Sequence, residues 1–261
     1  MHAWSATSSS GHSDCASPIN AIEQVSESDA RLLDERRTSE LREQFIAVLG
    51  HDLRNPLAAI SAGTELLLKT PLSEKASRMV HVIRASVTRM SGLIDDVLDF
   101  ARGRLGSGLV LDYTNNEPLE PVLRQVIAEL QTSFPNRSIE AEIALRDPVI
   151  CDRVRIAQLL SNLLGNALTY GAAAMPIKVQ ATTDANILEL SVSNAGDPIP
   201  AATLERLFQP FQRGAVRPHQ QGLGLGLFIA SEIAKAHGGA LEAKSSPEQT
   251  RFTFQMPLAY P

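Results

Sequence analysis

Two runs of apolar residues with the same rhythm constrain this chain more than any other feature. Ile46, Leu49, Leu53, Pro56, Ile60, Gly63 and Leu67 step by three and four; after a break at Lys69-Thr70-Pro71-Leu72-Ser73, Val80, Ile83, Val87, Met90, Ile94, Val97 and Ala101 do the same. Such spacing lines each series along one side of a helix. A turn this short forces the two helices into an antiparallel hairpin. Alone, the hairpin leaves much of its apolar stripe in water, whereas two hairpins close one shared core. The spacing therefore predicts a homodimer built on a four-helix bundle. A hairpin packed on the rest of its own chain is the competing arrangement.

Composition narrows what such a chain does. Lys and Arg number 24 against 29 Asp and Glu, for a net charge of −5 with no basic block, which argues against nucleic acid as the main partner. Cys15 and Cys151 are too few for a disulfide framework and lie far from any zinc spacing, so a reducing, cytoplasmic setting is expected. No apolar run reaches membrane-spanning length, and the N-terminal residues lack the basic start and apolar core of a signal peptide.

Residues 1–19 are rich in Ser and Ala without periodicity and read as a disordered tail, followed by a charged N-terminal helix at 20–37. The hairpin domain spans 38–104. The stretch RGRLGSGL, with three glycines in eight residues, reads as a hinge. Beyond it, 109–261 reads as an α/β sandwich, giving an α+β chain overall. Helices are expected at about 118–133, 152–168 and 224–237, and strands at 138–145, 177–183, 187–194, 239–246 and 251–258, with the helices on one sheet face.

Polar residues interrupt the first seam at GHDLRNPL. His51 lies two positions past Leu49, about 200° around the helix, and so points away from the core. Asn55 shares its face and Asp52 stands beside it; Pro56, lacking an N–H, frees the Asp52 carbonyl. A carboxylate can hold one imidazole nitrogen protonated and leave the other nucleophilic. On these residues alone, a solvated polar face that holds one histidine is the simpler reading.

The second domain changes the balance. QLLSNLLGNALTYG sets Asn162 and Asn166 four apart on one helical face, where amides among leucines are costly unless they bind something polar, and amide oxygens suit Mg2+. NAGDPIP follows a predicted strand, with Gly196 allowing close backbone approach. QGLGLGLF places Gly222, Gly224 and Gly226 before a helix, offering N–H groups to phosphate. It matches neither the P-loop nor the Rossmann spacing.

Taken together, these motifs resemble those of the sensor histidine kinases of two-component signalling. GHDLRNPL is similar to the family's H box, SNLLGNA to its N box, NAGDPIP and GLGLGL to its two glycine boxes, and LFQPFQRG to its phenylalanine box. The resemblance runs over about 38–258 in the family order. It implies a dimerisation and phosphotransfer hairpin followed by an ATP-binding domain of the kind shared with Hsp90-like, gyrase and MutL ATPases. The implied chemistry moves the γ-phosphoryl group of ATP to His51 and then to an aspartate of a response-regulator receiver domain. By the same resemblance Asp52 orients and activates His51, and Asn55 positions water in the reverse, phosphatase reaction. Asn166 is the Mg2+ ligand. Asn162, Tyr170, Asn194, Gly196, Gly222, Gly224 and Gly226 hold the nucleotide, and Phe208 and Phe211 frame a lid whose cations are Arg213, Arg217 and His219.

Three positions depart from the family pattern. Asn194 stands where Asp is usual, Pro198 replaces the second glycine of its box as in phytochrome-like kinases, and Thr169 occupies a position that is often basic. These departures keep open a catalytically weak regulatory scaffold, and the DLRN stretch a net phosphatase, on the same fold. The roughly forty residues ahead of the hairpin are short for a sensing domain. Input is expected either from a separate upstream protein acting on the 20–37 helix or from a segment of a longer chain.

Overall fold

The structure, a computed structural model, describes residues 46, 48–104, 109–113, 118–212 and 223–258. The 1–19 tail, the helix expected at 20–37, the hinge residues 105–108, and Gly222 with Arg213, Arg217 and His219 lie outside the described residues.

Helix α1 covers 48–68 and runs through Pro56 without interruption; α2 is Glu74–Arg104. Their turn forms where the sequence breaks. The Lys69 and Thr70 amides close onto the carbonyls of Leu66 and Leu67, Pro71 ends the first helix, and the Ser73 hydroxyl accepts from the Ala76 amide at the start of the second. Ile46 and Leu57 on the first helix and Val80, Val87 and Leu98 on the second are all buried. Gly50 admits Leu98, whose Cδ1 would lie 2.7 Å from an added Cβ. Arg54 donates to Asp95 across the hairpin through Nε at 2.9 Å, and Arg84 faces Glu65 at 3.9 Å.

The two apolar series are not buried as units. Leu49, Leu53, Ile60 and Leu67 stay 39–47% exposed, as do Ile83, Met90 and Val97 at 43–45%. On the first helix Ile46 is buried together with Leu57 and Thr64, which lie outside the series, and on the second Val80 and Val87 are buried. A three-four stripe is wide enough to serve two neighbours, and each series is covered only in part.

The second domain follows as α3 (Leu119–Ser133), β1 (Ile139–Ala144), α4 (Arg153–Tyr170), β2 (Ile177–Asp184), β3 (Ile187–Asn194), α5 (Ala201–Leu204), α6 (Gly226–Ala236), β4 (Ala240–Ser245) and β5 (Thr250–Pro257). All five expected strands form one sheet in the order β1-β2-β3-β5-β4. Its only parallel pair is β1 with β2, which needs a crossover, and α4 supplies it. The β2–β3 hairpin turns on Ala185 and Asn186, both at positive φ, as a two-residue type I′ turn requires.

Alternation puts Ile177, Val179, Ala181 and Thr183 of β2 on the same buried face as Phe252, Phe254 and Met256 of β5. Against that face α4 buries Ile156, Leu159, Leu160, Leu163, Leu164 and Ala167, and α6 buries Ile229, Ala230, Ile233 and Ala234. The helices lie on one side of the sheet, as the sequence predicts. Most boundaries agree to within a residue. Helix α4 continues to Tyr170, α6 starts at Gly226 after Gly224 at φ +72° in the preceding loop, and the short α5 has no counterpart among the expected helices.

Candidate functional site

His51 projects from α1 with its side chain 72% exposed. Its Nδ1 lies 3.2 Å from Asp52 Oδ1, and Asn55 Nδ2 lies 3.3 Å from both ring nitrogens. Helical spacing alone produces this grouping, since residues four apart stack on one face. With Nδ1–H donating to Asp52, Nε2 keeps its lone pair, the state needed to attack an electrophile. The neighbouring Arg54–Asp95 pair fixes the helix one turn on. Forty-one residues separate its members, and local sequence gives no sign of it.

A second group of polar side chains lines α4. Its N-terminus is capped by Asp152, which accepts from the Arg155 amide at 3.1 Å, and one flank of the leucine stripe carries Asn162, Asn166 and Tyr170. Both asparagines are half-buried rather than fully enclosed. Asn162 Nδ2 is nevertheless shut off from solvent and has no hydrogen-bond partner among the described residues. The same side chain rests against Gly226, where an added Cβ would lie 3.3 Å from Asn162 Oδ1. An orphaned donor beside a bare stretch of backbone at a helix start suits an anionic ligand with acceptor oxygens, such as phosphate.

Asn166, one turn further, offers a neutral hard oxygen. Among the described residues no cluster of His, Cys, Asp or Glu could hold a metal unaided, so a cation here would take most of its ligands from the nucleotide's phosphates, the usual arrangement for Mg2+.

At the far end of α4 the first glycine box closes over the helix C-terminus. Ala172 N–H donates to the Ala195 carbonyl at 2.7 Å, and a Cβ on Gly196 would come within 3.0 Å of the Tyr170 carbonyl. Asn194 is 6% exposed, and its Nδ2 donates to the Ala195 carbonyl at 3.2 Å. That bond leaves Oδ1 as the free end, an acceptor of the kind an aspartate would supply, without its charge.

Phe208 packs on the core, whereas Phe211 is 57% exposed and adopts φ +62°. Its amide donates to the Gly224 carbonyl at 3.0 Å, and a Cβ on Gly224 would lie 2.8 Å from the Gln212 carbonyl. Phe211 and Gln212 therefore lie directly against Gly224.

Two further buried groups lie beside the N-terminus of α4. His237 donates Nδ1–H to the Ile233 carbonyl and accepts the Asp152 amide on Nε2 at 3.1 Å; burial pushes its pKa down. Cys151 is buried with its thiol pushed up to about 12, chiefly by desolvation.

A helical hairpin bearing an exposed, carboxylate-paired histidine, joined to an α/β sandwich, defines a class: the chain carries the two domains of the histidine kinase transmitter module. Residues 41–106 match the His Kinase A (phospho-acceptor) domain, and residues 151–260 match the histidine kinase-, DNA gyrase B- and HSP90-like ATPases. A bacteriophytochrome of Pseudomonas aeruginosa is 33% identical over 84% of this chain and 30% of its own length. The crystal structure of full-length ShkA in complex with AMPPNP has a TM-score of 0.63 and 28% identity, over 84% of this chain and 46% of that one. Histidine kinase ThkA in complex with the response regulator protein TrrA has a TM-score of 0.53 and 25% identity, over 86% and 64%. This chain thus spans about a third of the bacteriophytochrome. Among the described residues, no helix is long and apolar enough to cross a membrane.

Proposed function

We propose that this chain is an ATP-dependent protein-histidine kinase that phosphorylates His51 and passes the phosphoryl group to an aspartate of a response-regulator receiver domain, in the cytoplasm. The observation that carries this reading is the exposed His51 ring, 3.2 Å from Asp52, in the same chain as an orphaned Asn162 amide beside the Gly226 backbone. Asp52 holds Nδ1–H, so that Nε2 is the attacking atom. Asn162, Gly224 and Gly226 hold phosphate, while Asn194, Gly196 and Tyr170 surround the base. Asn166 holds Mg2+, which when bound neutralises charge on the transferring group. Catalysis by the protein is then positioning plus charge stabilisation.

The exposed stripe of Leu49, Leu53, Ile60, Leu67, Ile83, Met90 and Val97 supports a homodimer closing a four-helix bundle. The AMPPNP complex of ShkA and the receiver complex of ThkA support the nucleotide and the partner. Incubation with γ-labelled ATP and Mg2+ tests the reading. Acid-labile, base-stable label that disappears in His51→Gln is expected; a folded, nucleotide-binding protein that never takes label overturns it.

A further inference from the structure

The C-terminal turns of α2 grip the ATPase domain at its phosphate end. Asp99, 6% exposed, accepts from Arg155 Nη1 and from Gln158 Nε2, both at 2.7 Å on the same oxygen, while Arg155 also reaches Gln158 Oε1 at 2.8 Å. The next residue, Phe100, sets its ring edge-on to Phe211 at 5.0 Å and to Phe228 at 5.6 Å. Each contact falls on an element already placed at the cleft. Gln158 is one helical turn before Asn162 in the α4 row that continues to Asn166. Phe211 holds Gly224 through its amide, and Phe228 lies in the first turn of α6 with Gly226.

The hairpin contacts also fix a height. Gly50 meets Leu98, Arg54 meets Asp95 and Glu65 meets Arg84, so facing residues sum to about 149 and Asp99 stands level with residue 50. At about 1.5 Å of rise per residue, His51 is within roughly 2 Å of that level along the bundle. In a two-fold bundle with parallel hairpins, the partner's histidine stands at the same height, so the argument is independent of which subunit accepts. Docking through Asp99 and Phe100 thus keeps the phosphate end of the cleft at the level of its acceptor. A bimolecular search becomes a short intramolecular one.

We propose that Asp99 and Phe100 are positioning residues of the kinase: neither touches ATP or His51, and both set where the phosphate-binding loop stands relative to the hairpin. The inference rests on the kinase reading above. Its test uses the full chain with Asp99→Asn, Phe100→Ala and the conservative Asp99→Glu. Autophosphorylation kinetics would be paired with ATP affinity by equilibrium binding, and with amide exchange of α4's first turn and Phe211 in nucleotide-free protein.

Asp99→Asn and Phe100→Ala are expected to lower the transfer rate at saturating ATP by at least about tenfold, with KM and Kd for ATP changed less than about threefold. Exchange at Phe211 and Arg155 should quicken, and Asp99→Glu should recover most of the rate. A loss of affinity that accounts for the loss of rate would overturn the proposal, as would unchanged or faster transfer. Wild-type protein that binds ATP without labelling His51 refutes the kinase reading instead. Exchange in the variants would then still decide whether the dock exists, since it is read without nucleotide.

Discussion

Asp96 lies on α2 between the Asp95 paired with Arg54 and the Asp99 that holds Arg155. It is half-buried, and its pKa is raised from 3.8 to about 6, mainly by desolvation and then by the charges of Asp99 and Asp95. A carboxyl whose folded pKa exceeds its unfolded one opposes folding wherever it is ionised in both states. The penalty is absent below about pH 4, grows as pH rises, and is complete above about pH 6. About two pKa units correspond to roughly 3 kcal/mol, which partial exposure reduces to about 1–2 kcal/mol. Asp96→Asn keeps shape and removes the charge. It is therefore expected to stabilise the hairpin by about 1–2 kcal/mol at pH 7.5 and by almost nothing at pH 4. Urea unfolding followed by helical circular dichroism, at fixed protein concentration because of the expected dimer, measures this across the range. A gain that is the same at every pH, or a loss at pH 7.5, would refute the electrostatic account.

Three further outcomes follow from the same geometry. His237 is held neutral, its pKa depressed by burial, so its stabilising contribution is present above about pH 6.5 and is lost as pH falls through its folded pKa. Melting of the ATPase domain should drop on that side, and less steeply in His237→Gln. Gly224→Ala meets both an unfavourable φ of +72° and the Gln212 carbonyl at 2.8 Å, so calorimetric titration should show ATP binding weakened by about tenfold or more while the domain remains folded. Leu53→Asp replaces a 40%-exposed leucine on the outward stripe, and light scattering should find monomer where the wild type is dimeric, with hairpin helicity reduced.

Much of this architecture is legible because it is periodic. The helical hairpin, the alternation of β2 and β5, and the asparagine pair on α4 each follow from one local rule applied along one element. What escapes such reading depends on residues far apart in the chain. Asp99 with Arg155, Arg54 with Asp95, and Asp152 with His237 are ordinary charged or polar positions until the fold brings them together. The division of the apolar stripe into buried and exposed flanks escapes for a related reason: spacing fixes a direction on the helix to within a residue or so, and one residue turns it by about 100°. Helix α5, at four residues, is too short to carry a period.

The row on α4 also limits how such a domain can vary. Tyr170, Asn166, Asn162 and Gln158 recur every fourth residue, and the last of them meets the hairpin. Each can be exchanged singly, at a cost confined to one contact. Inserting or deleting one residue anywhere between 158 and 170 would instead rotate everything beyond it by about 100°, moving part of the row into the leucine core. Among related chains, drift should therefore appear in this helix as substitution at constant length, with insertions and deletions gathered in the connecting segments on either side.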